Sequence, residues 1–208
     1  MLRPSARFAL TALLAAACAP AAAYVVSINP GPRSAFLRVG DGGAGTFLDS
    51  DGRPGESGVV NRVSVTVPAA AVGAGARPMS ANTTQRTSSY DSYTFCDADE
   101  VYVGGFVRGN NGLSDGVLIV DAPASLIAAD GQTIPLSQIS WTSTGNGDGT
   151  AAQPVPAGAF DDTAGPQTLA TVRRNTWRES CLRFSYANGQ VVGAGTYEAR
   201  VVYTLSVP

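Results

Sequence analysis

The chain has 208 residues, with 16 acidic side chains against 14 basic ones, a net charge of −2, and no histidine. Every basic residue is an arginine. Without histidine there is no Ser-His-Asp or Cys-His nucleophile and none of the commonest zinc sites; without lysine there is no Schiff-base or Ser-Lys chemistry. The acidic balance argues against nucleic acid and against an anionic membrane surface as partners.

Arg3 and Arg7 precede an apolar run over residues 8–23, broken by Thr11 and Pro20 and ending in Ala21-Ala22-Ala23. A basic start, an apolar stretch and small residues in that order predict a secretory signal peptide over 1–23. Cleavage after Ala23 leaves one domain of 185 residues, 24–208, and removes two arginines and no acid, which moves the net charge from −2 to −4. Pro20 and the shortness of the run argue against a retained membrane anchor. Cys18 has Ala15, not a large aliphatic residue, three positions before it, so it is read as lost with the leader and not as a lipidation site. The expected location is the periplasm, the outer cell surface or the extracellular medium.

Cys96 and Cys181 then remain, and an even pair in an exported chain reads as a disulfide. Their separation of 85 positions gives a crosslink worth about 4–5 kcal/mol in the chain-entropy view, before any native strain.

In chain order, Tyr24–Asn29 is a short strand candidate ended by Pro30-Gly31-Pro32, and Ser34–Val39 is a second. Residues 40–58 are Gly/Asp/Ser-rich, with Phe47 and Leu48 their only core formers, and read as a surface loop with room for one short strand. Val59–Val67 alternates and predicts a strand; Pro68–Ala76 has room for one helical turn between Pro68 and Gly73. Arg77–Ser89 is a polar connection that includes the glycosylation-type triplet Asn82-Thr83-Thr84. Ser89–Cys96 and Glu100–Val107 predict two strands, the second interrupted by Gly104-Gly105, a sign of a bulge or a close approach.

Beyond the Gly109–Gly112 turn, Gly116–Asp121 predicts a short apolar strand. Gln132–Ser143 carries Ile134, Leu136, Ile139 and Trp141, with Pro135 marking an edge or bend. Thr144–Gly149 is a turn, Ala151–Pro166 a loop and Gln167–Val172 a strand. The chain closes with Leu182, Phe184 and Tyr186 on one side of a strand and an Asn188-Gly189 hairpin turn. A long final strand follows, with Tyr197, Ala199, Val201, Tyr203, Leu205 and Val207 on one face. About ten strands, frequent turn signals and no convincing helix predict an all-β fold, an antiparallel two-sheet sandwich with Greek-key (Ig-like or jelly-roll-like) connections.

Cys181 alternates out of phase with Leu182, Phe184 and Tyr186, and Cys96 with Tyr93 and Phe95. If those aromatics face the core, the disulfide joins strands or strand ends on an outer face and is not a pin between sheets.

A carboxylate pair is the enzymatic option left open, as in glycoside hydrolysis, with Asp97, Asp99, Glu100, Asp161, Asp162 and Glu179 as candidates. Their spacing singles out no pair, and the preferred reading is solvated turn carboxylates. Asp49-Ser50-Asp51-Gly52 resembles the start of a calcium loop but lacks its later ligands, and Asp97, Asp99 and Glu100 are a second acidic cluster. No cofactor is expected. Trp141, in phase with Ile139, reads as core; Trp177, between Arg174 and Arg178, is the candidate contact residue, with those two arginines beside it.

The run Gly195-Thr196-Tyr197 followed by alternating Val201, Tyr203 and Leu205, with Ile139-Ser140-Trp141, resembles the closing strands of secreted bacterial surface sandwiches. These are the pilin-like subunits of the chaperone–usher and spore-coat-U type and the WxL-type domains. The likeness covers about the last thirty residues. It departs from those families in the disulfide spacing, in the short Tyr24–Asn29 arm, and in Thr142-Ser143 after Trp141. The resemblance implies a non-enzymatic structural or adhesive surface protein, whose partners are itself or other surface subunits. The alternatives are a soluble carbohydrate-binding module using Trp177 and, after it, a carboxylate-pair hydrolase.

Overall fold

The computed structural model describes residues 34–45, 59–109 and 115–207. The expected leader with Cys18, the Tyr24–Asn29 strand, Phe47, Leu48, and the calcium-loop candidates Asp49 and Asp51 lie outside the described residues.

The described residues form fifteen strands: β1 Ser34–Val39, β2 Gly42–Gly45, β3 Val63–Ser64, β4 Arg77–Pro78, β5 Ser80–Ala81, β6 Val101–Arg108, β7 Gly116–Ala122, β8 Ser125–Ala128, β9 Thr133–Pro135, β10 Ile139–Thr144, β11 Gly158–Ala159, β12 Gly165–Val172, β13 Arg178–Tyr186, β14 Tyr197–Glu198 and β15 Val202–Ser206. Helix is limited, among the described residues, to two single 3₁₀ turns, Ala69–Ala71 and Leu136–Gln138. The fold is all-β and every strand pairing is antiparallel.

The largest sheet runs β11-β10-β13-β6-β1-β2, with β4 also on β13; a second runs β12-β7-β15; β14-β8-β9 and β3-β5 are smaller. The two main sheets meet in one core. Val101, Val103 and Val107 of β6, Leu182, Phe184 and Tyr186 of β13, and Ile139 and Trp141 of β10 pack with Leu118, Val120 and Ala122 of β7 and Leu169, Ala170 and Val172 of β12. The period-2 alternation of strand side chains selects these residues. A register shift in β12 between Thr168 and Ala170 turns both Leu169 and Ala170 inward, which strict alternation does not allow. Trp141 is core, as its phase with Ile139 predicts: it packs against Phe160 and Phe184 and donates its Nε1–H to the Pro156 carbonyl at 2.9 Å.

The long final strand expected over 197–207 is broken: β14 pairs with β8 and β15 with β7, and Ala199 between them is exposed, not inward; within β15 the expected alternation holds. Tyr203 and Leu205 pack against the core opposite Val120 and Leu118 of β7, while Val202, Thr204 and Ser206 are exposed. The hairpin expected before it is not formed. β13 lies in the larger sheet and β15 pairs with β7 in the other, so the chain crosses between layers after Tyr186. Asn188 does take the positive φ, 50°, that Asn-Gly signals. Its side chain is buried and serves another purpose. Nδ2 donates to the Ala71 and Gly75 carbonyls at 2.8 and 3.0 Å, and Oδ1 accepts the Gly73 N–H at 3.2 Å, which staples the 68–76 loop to the sandwich.

Three other expectations are corrected. Over 59–67 Asn61, Val63, Val65 and Val67 turn inward as the pattern requires, but Val59, which shares their phase, is exposed, and only Val63–Ser64 is laddered, because its partner β5 is two residues long. Residues 89–96 form a turn with Ser92 at φ 65° and one bridge, Thr87 to Thr94, instead of a strand. β8 was not anticipated. Gly104-Gly105 makes no bulge, since β6 keeps register with both β1 and β13 through it.

The tight β1–β2 turn holds an anchor for the loop beside it. Asp41 accepts the Thr84 N–H with both oxygens at 3.0 Å, the Thr84 hydroxyl at 3.0 Å and the Gln85 N–H at 2.8 Å. Burial by itself raises the Asp41 pKa; the bonds from Thr84, Gln85 and Thr83 outweigh it and hold the carboxyl below its ordinary 3.8. A depressed folded-state pKa means the stabilisation is present above the unfolded value and is lost as pH falls through the folded one. Asp41→Asn is therefore expected to be destabilising at neutral pH, with the gap to the wild type closing as pH drops below 3.8, read from urea midpoints across a pH series.

At the closing strand, Leu205→Ala is expected to cost about 2 kcal/mol, the low end of core truncations because Leu205 is half-buried. Thr204→Ala next to it should cost about 0.5 kcal/mol or less. Equal urea midpoints for the two variants would refute the inward–outward assignment.

Candidate functional site

β6 and β13 are covered on their second face too. Their outward residues include Tyr102, Gly104 and Phe106 on one and Glu179, Cys181 and Arg183 on the other, with Tyr102 opposite Cys181 and Gly104 opposite Glu179. The segment leading to β6 lies over them. Phe95, Cys96, Tyr102 and Cys181 form a second buried cluster, against which Trp177 packs. The disulfide Cys96–Cys181, Cα to Cα 5.5 Å, sits here on the side of β13 away from Leu182, Phe184 and Tyr186, as the sequence phase predicts. Phe95 and Tyr93 are the exceptions to that reading: Phe95 is buried in this outer layer and Tyr93 is exposed, so neither faces the main core.

Tyr102 is fully buried, and its ring lies across Gly104, where a Cβ would collide with the ring and hydroxyl. That is the close approach the glycine pair signals. The Tyr102 hydroxyl donates to Glu179 Oε2 at 2.6 Å and accepts the Ser89 N–H at 3.1 Å. The same Oε2 accepts the Trp177 Nε1–H at 2.7 Å. The Trp177 ring stacks with Tyr90, the neighbour of Ser89, at 6.0 Å and 28°, and packs against Phe36 at 5.5 Å. Ser89-Tyr90, Trp177, Glu179 and Tyr102 thus close a ring of contacts, and no member rotates without breaking one. Burial first, and then the Glu179 carboxylate, push the Tyr102 hydroxyl far above its ordinary pKa, so it remains a donor throughout the physiological range.

Beside this ring opens a cleft of about 270 Å³, lined by Phe95, Trp177, Arg178 and Glu179 on one side and by Asp148, Ala151, Ala152 and Pro154 on the other. The second wall is a loop pinned at both ends. Asn146 N–H donates to the Phe95 carbonyl at 2.9 Å, and Val155 N–H donates to the buried Ser180 Oγ at 3.0 Å. Gln153 Nε2 holds Asp148 Oδ2 at 2.9 Å. Tyr90 and Tyr93 stand on the same covering segment, 64% and 54% exposed.

The structure therefore brings Trp177 and Arg178 to one cleft. Arg174 is not among its lining residues; its N–H bonds Asp115 Oδ1 at 3.0 Å at the start of β7. Among the carboxylates, Glu179 lines the cleft, and Asp148, read from the sequence as a turn residue, joins it. Glu100 is buried and committed: Oε2 accepts the Asp97 N–H at 2.8 Å, and Oε1 accepts the Thr144 hydroxyl at 3.1 Å and Arg183 Nη2 at 3.2 Å. Asp97 and Asp99 are exposed; Asp97 Oδ1 accepts Asn146 Nδ2 at 3.1 Å and Asp99 holds the turn at φ 63°. Asp161 and Asp162 are exposed in the loop before β12, away from the cleft residues. Tyr90 and Tyr102 were not singled out from the sequence, and Tyr93 was read there as core; the one legible signal is Tyr102 two residues before Gly104 on an otherwise apolar strand.

An aromatic wall, two carboxylates and a guanidinium on a pinned frame can stack on an apolar ring face and bond hydroxyl groups at its edge. Glu179 Oε2 already accepts two donors, which suits it to holding Trp177 in place. Comparison with protein families, curated proteins and solved structures finds no match to this chain. Among the described residues no helix is long and apolar enough to cross a membrane.

Gly104→Ala is expected to force Tyr102 off Glu179 and to cost about 1–3 kcal/mol, as overpacking does. At Gly105 a Cβ would meet Val172 and Leu205 at 3.5 and 3.6 Å, ordinary contact, so Gly105→Ala should be close to neutral. Urea midpoints and Trp fluorescence of the two variants check the contrast.

Proposed function

We propose that this chain is a non-enzymatic, exported adhesive domain that holds carbohydrate at the Trp177 cleft. The observation that carries the reading is the closed ring of Ser89-Tyr90, Trp177, Glu179 and Tyr102, which fixes the half-buried Trp177, with the exposed Tyr90 stacked on it, beside Asp148, Glu179 and Arg178. Rigid aromatic faces flanked by charged hydrogen-bonding groups fit sugar rings, whose C–H faces are apolar and whose edges carry hydroxyls. The sequence signs of export and the disulfide are compatible with an extracellular setting.

A second reading, a subunit of a surface assembly, draws on β15. It pairs with β7 on one side, and no strand pairs its other side among the described residues. Such an edge accepts an added strand. Light scattering of concentrated protein separates the two: a monomer at all concentrations disfavours assembly.

The adhesive reading is tested by calorimetric titration with a panel of oligosaccharides. At least one should bind, and Trp177→Ala or Tyr90→Ala should weaken it at least about tenfold, a loss of about 1.4 kcal/mol. Trp141→Phe, a core change, should leave the affinity unaltered in folded protein. Binding to no glycan, or binding unaffected at Trp177, would refute it.

A further inference from the structure

The disulfide layer holds a second donor set, apart from the cleft. The sulfurs of Cys96 and Cys181 and a carboxylate oxygen of Glu100 all lie within 4.8 Å of one another, and the three residues are 1%, 0% and 4% exposed. We propose that reduction of the disulfide turns this triad into a site for a zinc-type divalent cation, bound by two thiolates and one carboxylate with water in the fourth position.

The dimensions fit. Tetrahedral zinc with Zn–S about 2.3 Å and Zn–O about 2.0–2.2 Å places its ligand atoms roughly 3.5–3.8 Å apart. Opening the S–S bond therefore asks the sulfurs to separate by a side-chain rotation, and the carboxylate oxygen, within 4.8 Å of both, to close by no more than about 1 Å.

The charges fit as well. Two thiolates and Glu100 carry −3, the ion +2, and Arg183, whose Nη2 is 3.2 Å from Glu100 Oε1, carries +1, so the buried assembly is neutral. Both oxygens of Glu100 are oriented from outside the triad by the Asp97 N–H and the Thr144 hydroxyl, the kind of second layer that fixes metal ligands.

The frame does not rest on the S–S bond alone. Cys181 is laddered in β13 to Tyr102 on one side and Thr144 on the other, and Cys96 N–H donates to the Arg86 carbonyl at 2.9 Å. In the metal-free reduced state the Phe95 carbonyl, 3.4 Å from Cys181 Sγ, is ready to accept the thiol proton.

The chemistry balances. A dithiol reductant gives two electrons and two protons to the disulfide, yielding two thiols and its own cyclic disulfide. The divalent ion then displaces the two thiol protons, so affinity rises with pH.

The test uses the full chain, reduced with a phosphine under argon, its fold followed by circular dichroism, and titrated with Co²⁺ as a spectroscopic probe. One Co²⁺ per chain is expected, with thiolate charge-transfer absorption in the near ultraviolet and tetrahedral d–d bands in the visible, both displaced by Zn²⁺. The oxidised protein and Cys181→Ser should show neither, and Glu100→Gln should weaken binding by about 10–100-fold. If reduction loosens the fold, the ion should restore the native dichroism. Native dichroism without cobalt absorption, an unfolded reduced chain that the ion does not restore, or full affinity in Glu100→Gln would each overturn the proposal.

Discussion

β6 and β13 are buried on both faces, and most of the molecule is organised by what covers the second face. On the inner side the cover is the β12-β7-β15 sheet, a large apolar contact between alternating residues. On the outer side it is an irregular segment ending at Phe95-Cys96, which brings few aliphatic side chains. Such a segment gains little from area burial alone. It is held by a covalent bond at one end and, at the other, by hydrogen bonds that meet on Tyr102 and Glu179. The Cys96–Cys181 bond also confines the unfolded chain, which favours the folded state without any further contact.

The outer layer shows how a small sequence feature controls a larger surface. Gly104 has no side chain, so the ring of Tyr102 can lie flat over it and reach the carboxylate opposite. Glu179 then accepts from Trp177, and Trp177 supports Tyr90. Each step transmits position from a rigid ladder to an exposed ring. A site built this way is pre-formed, so a ligand does not have to order loose side chains on binding. The loop over 146–155 supplies the facing wall, and its fixation to Phe95 and Ser180 ties the cleft to the same two strands.

The remaining loops follow a similar plan, in which a single polar side chain replaces a strand pair. Asn188 satisfies three backbone groups of the 68–76 loop. Asp41 serves Thr84 and Gln85, and Asn61 accepts the Asp41 N–H while donating to the Val39 carbonyl. Glu100 does the same inside the disulfide layer, with Arg183 balancing its charge. Buried backbone groups have to be paired, and where strands are two residues long these side chains meet the requirement.

The sequence by itself determined the local facts: which residues alternate, which turns need positive φ, and which cysteines are out of phase with the apolar face. The all-β class, the inward set of β15, the core place of Trp141 and the outer-face disulfide all rest on the period of two in a strand, a short-range property. Only the tertiary structure decided the partners. Asn188 takes the positive φ of a tight turn but Gly189 does not, and the strands that follow pair elsewhere: β14 with β8, and β15 with β7, where Tyr203 and Leu205 pack opposite Val120 and Leu118. Residues 89–96 have strand composition, but the disulfide and Tyr102 hold them as a cover whose pairing is limited to one bridge, Thr87 to Thr94. The cleft joins Asp148 to Glu179 and Trp177 across about thirty residues of sequence, and no local pattern encodes that meeting. Pairing and site assembly are long-range choices among competing burials, and they are settled only when the whole core is in place.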